Sequence, residues 1–449
     1  MSDKGGIQAV FFDIGNVLLH EFTHTVTLAA TRNRIPHWFT EGLAVYQESR
    51  PRSFDWTEML ARAVRLDELF SLEQISWRFM RPRRPTDRMQ AYAQSEWMCE
   101  YIVERFGYGS LNRMLAAYRS GKPQRAIFED VLGVAPERFD KDFALWAQGQ
   151  AAEWGLDLTA PEKLAPLRMV ASVKGDNVQV QARLAKAELD EGNLDQALDA
   201  ARNGLERDQD NVLCLTVLGR VLWSQRGSRG HRLDPHHRAS GQASGTRERK
   251  RRTIDAELVP AMERLLGLEQ GGWVASKVLG SIALEEGRYE AAVRHFRLLK
   301  KARSLDPASY RGLAGVYLAQ KAYDEALPEL LELARTSEGD ADVAATIGMI
   351  YARRGGWARY WYTQALYVDP YRAENHRKLA DVCMRLGDTR TAIREYESLC
   401  ILEPDNVEHF EHAAVAHHKI GDAVAAQRFA RQAVALDPDT SVRTLIKDQ

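Results

Sequence analysis

From residue 177 to residue 440, apolar and small positions return with a period of about 34 residues. Pro370, Pro404 and Pro438 mark the period, and each follows an acid: Asp369, Glu403 and Asp437. Inside these units Ala380 and Ala414 are each followed twelve positions later by a second alanine, Ala392 and Ala426. Tyr396 and Ala430 come four further on, then Leu399 and Ala433. The interval of twelve recurs earlier in Ala185 with Ala197, Gly280 with Ala292 and Ala314 with Ala326. Gly192, Gly287 and Gly387 stand where a chain must turn between two helices. The pattern predicts pairs of antiparallel helices with small residues where their axes cross. Each pair buries its apolar face only against its neighbours, so the pairs should stack into a superhelical α-solenoid. Two units are irregular: one breaks after Trp223, and the one from Gly348 to Pro370 is about two residues short.

Upstream, residues 51–154 also read as helices. Met89, Tyr92, Ala93, Met98, Tyr101 and Ile102 keep a helical spacing across Asp87 to Phe106. Further helices are expected near Ser110 to Tyr118 and Pro136 to Trp154. The fold class expected is therefore mostly α. Its predicted divisions are an apolar strand-like segment at 1–19, a domain at 20–155, a linker at 156–176 around Pro161 and Pro166, and repeats at 177–225 and 253–440. Between the two repeat blocks lies a basic insert, 226–252, with nine Lys or Arg against Asp234 and Glu248. It is nearly free of large apolar residues and reads as a flexible loop. Its His231, His236 and His237 have no companion ligands at useful spacing.

Composition narrows the function classes. A formal charge of −1 gives no global electrostatic case for nucleic acid or an anionic membrane. No apolar run approaches the ~20 residues of a membrane span, and no signal peptide is read, so a cytoplasmic location is the default expectation. Cys99, Cys214, Cys383 and Cys400 are dispersed, which points to neither a disulfide framework nor a thiolate zinc site.

The candidate chemistry lies at His20-Glu21-Phe22-Thr23-His24 and Trp38-Phe39-Thr40-Glu41-Gly42-Leu43-Ala44. On a helix, His20 and His24 stand one turn apart on one face, where two imidazoles share a zinc ion and the intervening Glu21 reaches its water. Glu41, 17 positions after His24, opens a new helical stretch and offers a carboxylate as third ligand. These motifs resemble the gluzincin metallopeptidases, and more closely the peptidase-MA-like domains found beside tetratricopeptide repeats. The repeats at 177–440 are themselves of the tetratricopeptide pattern. The resemblance implies a zincin-like domain in which zinc is held by His20, His24 and Glu41, with Glu21 as general base. It implies an oxyanion donor on a later helix, for which Tyr92 is the candidate beside a packed core tyrosine as its other reading. His37 reads as a loop histidine and Glu48 as a surface carboxylate, each with a second role beside the ligands left open. The repeats imply a protein partner in their groove, and the zinc site implies a peptide or protein substrate.

Two departures matter. Gluzincin domains place a sheet before the motif helix, and only 19 residues precede His20 here. Those residues, Ile7 to Leu19, resemble instead the first motif of haloacid-dehalogenase-type phosphohydrolases, with Asp13 as nucleophile and Gly15 where a second Asp often stands. No alternating strands come after it, so that match is expected to be a single strand without a site. Asn16 is a possible cap for the motif helix. Three readings result, in descending order: a zinc peptidase on a repeat scaffold, an inactive scaffold with a vestigial peptidase domain, and a phosphohydrolase.

Overall fold

A computed structural model describes residues 19–48, 52–227, 245–268, 272–336 and 339–446. The expectations for Ile7 to Leu18, including Asp13, Gly15 and Asn16, and for His231, His236 and His237 lie outside the described residues. Among those described, every regular element is helical. Contacts divide them into two compact units, one reaching to Val316 and the other holding most of the chain from Tyr317 onward.

The first unit opens with α1, residues 19–31. A left-handed turn at Arg32 and Asn33, in which the Asn33 amide donates to the Leu28 carbonyl, ends it. Then come α2 (His37–Gln47), α3 (Phe54–Arg65), α4 (Ile75–Met80), α5 (Asp87–Phe106), α6 (Gly109–Arg119), α7 (Gln124–Ile127) and α8 (Pro136–Glu153). A π-turn at Phe128–Leu132 separates the last two. The twenty-residue α5 is the hub, packing against α2, α3, α4, α6 and α8. Trp38, Phe39, Trp97, Phe128, Phe139 and Phe143 are fully buried around it. Each such side chain contributes about 1.5–3 kcal/mol relative to exposure. Gly42 is what lets α2 reach α5: a Cβ there would lie 2.5 Å from the Ser95 carbonyl oxygen.

The predicted linker is partly helical. Leu164–Val173 forms α9, which buries Leu167 and Ala171 against α10, with Arg168 forking onto Glu188. The first repeats are the pairs α10 (Val178–Asp190) with α11 (Leu194–Leu205), α12 (Val212–Arg226) with α13 (Gly245–Gly267), and α14 (Gly272–Glu285) with α15 (Tyr289–Ala302). The repeat expected to break after Trp223 is completed across the insert by α13. Residues 245–252, read as flexible loop, are the first turns of that helix. Two basic residues at the ends of the predicted insert are structural: buried Arg226 pairs with Asp255 and Glu285, and Arg251 donates to the Gly227 carbonyl.

The chain continues through α16 (Pro307–Ala319) and α17 (Tyr323–Thr336). The second unit contains the pairs α18 (Ala341–Arg354) with α19 (Ala358–Val368), α20 (Ala373–Arg385) with α21 (Thr389–Leu402), and α22 (Val407–Lys419) with α23 (Ala423–Leu436). The short unit is explained by α19, whose 11 residues replace the 14 of α21 and α23. Asn177, Asn211, Asp340, Asp388, Asn406 and Asp422 each cap a repeat helix by accepting from a first-turn amide. All four cysteines are buried and unpaired, and burial pushes the Cys383 thiol up to about 11 and that of Cys400 to about 12.

Candidate metal centre

The turn between α1 and α2 folds the two motif segments onto each other. His20 Nε2 and His24 Nε2 lie 3.1 Å apart, and Glu41 Oε2 lies 3.8 Å from the first and 3.4 Å from the second. Glu41 does not open its helix as expected: it sits one turn inside α2, buried, with His37 ahead of it.

Hydrogen bonds at both Nδ1 atoms orient the two rings. His20 Nδ1 is 2.7 Å from Glu48 Oε1, and an ionised carboxylate only accepts, so Nδ1 carries the proton. His24 Nδ1 is 2.9 Å from the Thr40 hydroxyl. Thr40 in turn meets the Thr27 hydroxyl at 2.9 Å, and Thr27 donates to the His24 carbonyl at 3.2 Å. Thr40 thus links His24 Nδ1 to Thr27 through two hydroxyls, each able to donate or accept. With Nδ1 protonated on each ring, both Nε2 atoms would present lone pairs beside Glu41 Oε2. Two ring nitrogens and a carboxylate oxygen converge here, a donor set that suits a cation.

The spacing fits zinc. Bonds of about 2.0–2.1 Å in tetrahedral geometry set ligand atoms roughly 3.4 Å apart, between the shortest and longest edges seen here. His20, His24 and Glu41 form the group of potential metal ligands found among the described residues, all within 4.8 Å.

Three residues support these ligands; spacing had left the roles of Glu48 and His37 open and had not marked Thr40. Glu48, read as a surface carboxylate, is buried against His20 because α2 carries it two turns past Glu41 on the same face. Thr40 is buried beneath His24. His37, read as a loop residue, begins α2 and sets its Nε2 3.1 Å from Glu41 Oε1, holding the second carboxylate oxygen. Its ring lies edge-on to Phe79 at 4.6 Å, and Phe79 is edge-on to Tyr92 at 4.8 Å. Tyr92 is half-buried on α5, where burial and the Glu41 charge raise its pKa and keep its hydroxyl proton in place. Glu21, one residue on from His20, is exposed on α1.

Comparison with known proteins finds two family matches along the chain. A family model described as Peptidase MA superfamily matches residues 5–149, and a tetratricopeptide repeat model matches 277–341 and 377–440. No curated protein matches the chain. Among solved structures, YrrB, described as a TPR protein with an unusual peptide-binding site, is 14% identical and covers 41% of this chain and 97% of its own, with a TM-score of 0.36. Two structures of MamA are 20% and 16% identical, cover 39% and 40% of this chain and 98% of their own, and give a TM-score of 0.33 each. The chain thus carries a Peptidase MA superfamily domain followed by tetratricopeptide repeats, which mark a protein-interaction module.

Proposed function

We propose that the amino-terminal domain is a zinc-dependent peptidase and that the repeats bring it a protein partner. One observation carries the reading: His20 Nε2, His24 Nε2 and Glu41 Oε2 converge within 4.8 Å of one another. His20, His24 and Glu41 would hold the metal. When bound, zinc supplies Lewis acidity that lowers the pKa of water and polarises a peptide carbonyl.

The chain's own residues supply the rest. Glu48 and Thr40 hold the two Nδ1 atoms, so that with Nδ1 protonated each ring offers Nε2 to the ligand side. His37 holds Glu41 by the oxygen that faces away from the histidines. Glu21, free of the metal and exposed beside His20, takes the proton of the attacking water on its carboxylate and delivers it to the leaving amine. Tyr92, protonated at neutral pH, is the donor for the oxyanion that develops on the scissile carbonyl.

Metal analysis by mass spectrometry on the purified chain tests this, beside Glu41→Ala and His24→Ala. One zinc per chain, lost in both variants, supports the site, and cleavage of a peptide library that Glu21→Gln abolishes supports the reaction. An absence of zinc after reconstitution overturns the metal reading. Zinc without cleavage leaves a metal-braced interaction domain.

A further inference from the structure

Between Glu73 and Glu96 the chain carries five arginines and a single acid, Asp87, although its net charge overall is −1. This run forms α4, the loop after it and the start of α5, and it borders the candidate centre. Phe79 of α4 makes the link. Its ring is edge-on to that of His37, which holds Glu41, and edge-on to that of Tyr92.

The five arginines divide by their partners. Arg84 is committed inside the domain, to Glu68 Oε2 at 2.5 Å and to Asp87 Oδ1 at 2.9 Å. Arg78 lies over the Phe70 ring, 5.4 Å from its centre. Arg81, Arg83 and Arg88 are exposed, and none of them pairs with an acid among the described residues. Arg88 is nonetheless held in place, since its Nε donates to the Phe79 carbonyl at 3.0 Å. Its charge reaches the Tyr92 phenol one turn further along α5, where it opposes the effects of burial and Glu41.

The loop that presents these cations is fixed before any ligand arrives. Pro82 and Pro85 restrict its backbone. The buried Asp87 carboxylate accepts from the Arg83 amide at 2.9 Å and from the Arg84 amide at 3.2 Å. Apolar side chains stand among the cations. Trp77, Met80 and Met89 are each more than half exposed, and Arg81 lies over the Trp77 ring at 5.9 Å. Unpaired cations on a fixed loop, with apolar surface between them, complement a peptide that carries both carboxylates and apolar side chains. Arginines already in place bind carboxylates with little ordering left to do.

We propose that Arg81, Arg83 and Arg88 form the specificity rim of the centre and that its substrate is an acidic peptide. Arg88 is separated from both His37 and Tyr92 by one residue, Phe79. The Asp or Glu side chains that it meets therefore lie within about three residues of the scissile bond, at ~3.3 Å per extended residue. Trp77, Met80 and Met89 take the apolar side chains between them. This substrate class rests on the peptidase reading of the same centre, so binding and cleavage are measured apart.

The binding test uses the full chain with Glu21→Gln, which keeps the peptide whole. Its probes are a fluorescent octapeptide with four glutamates and the all-glutamine counterpart. At low salt the acidic peptide should bind at least ~10-fold more tightly, and the preference should shrink as salt rises. Arg81→Gln, Arg83→Gln and Arg88→Gln together should reduce it to about twofold or less. A control removes the same charge from the second unit, through Arg390→Gln, Arg394→Gln and Arg431→Gln, and should keep the preference. No preference, or one that the rim variant keeps or the control loses, overturns the proposal. Cleavage of both peptides by the parent is read separately. Acidic preference without cleavage overturns the peptidase reading and leaves the rim standing. Cleavage of both at equal kcat/KM overturns the rim and leaves the peptidase.

Discussion

At the scale of single residues, the candidate centre is a small set of proton positions. Glu48→Gln keeps a side chain of the same shape at His20 Nδ1 but removes the charge that holds the ring proton. Zinc affinity should fall about 10- to 100-fold, read by competition with a chromogenic chelator. Unchanged affinity would mean that Glu48 does not set the tautomer. A second residue tests the domain by pH. Burial raises the Asp140 carboxyl to about 6, with the Leu72 amide as its partner at 3.0 Å. Between about pH 4 and pH 6 the folded chain holds a proton there that the unfolded chain has lost, so stability falls as pH rises through that window. Asp140→Asn keeps an acceptor for Leu72 and should flatten this dependence. The gain at neutral pH should be on the order of 1 kcal/mol, the full shift being discounted for a group that water still reaches. Urea titrations at pH 4.5 and pH 7 check it, and identical slopes in parent and variant would refute it.

Spacing along the chain singles out His20, His24 and Glu41 because the chemistry they suggest has a fixed helical period. It puts Glu48 on the face of Glu41 without fixing its partner, is blind to Thr40, and leaves the role of His37 open. These act 28, 16 and 4 positions from their partners, and the first two depend on how α1 folds back on α2 through the turn at Arg32 and Asn33. Tyr92 illustrates a milder gap. Its helix was legible from end to end, but its nearness to Glu41 follows from the packing of α5 on α2.

At the scale of elements, glycine sets the closest approach. Gly42→Ala would drive a methyl into the Ser95 carbonyl, which belongs to the α5 backbone and has no rotamer to escape by. The expected cost is about 1–3 kcal/mol, seen as a lower urea midpoint, together with weaker zinc binding as Glu41 moves with its neighbour. A variant as stable as the parent would contradict this packing. The repeat helices were legible from the interval of twelve, since small residues at the crossing are needed in every pair. The α12–α13 pair was not, because the insert hides its second helix from any fixed period. Arg226 holds that pair to α14 through Asp255 and Glu285, and its side chain is 5% exposed. Arg226→Ala should cost about 3 kcal/mol, since it leaves Asp255 unpaired and Glu285 with only Arg251 at 3.8 Å, again as a urea midpoint, and a neutral result would show the triad to be dispensable.

At the scale of the whole molecule, the two compact units have cores of their own, so a ligand of one need not stabilise the other. Zinc at 100 times its dissociation constant should add about 2.7 kcal/mol to the unit that holds the centre. Calorimetry should therefore resolve one transition that rises with zinc and falls with a chelator, and another that stays put. If both transitions move together, the units unfold as one. The buried thiols offer a way to watch this. Cys99 sits in the amino-terminal core, Cys214 in the first repeats, and Cys383 and Cys400 in the last ones. Each is sealed from solvent and held in its unreactive protonated form at neutral pH. The molecule thus carries a built-in set of clocks, and the order in which an alkylating reagent marks the four sulfurs is the order in which its parts come open.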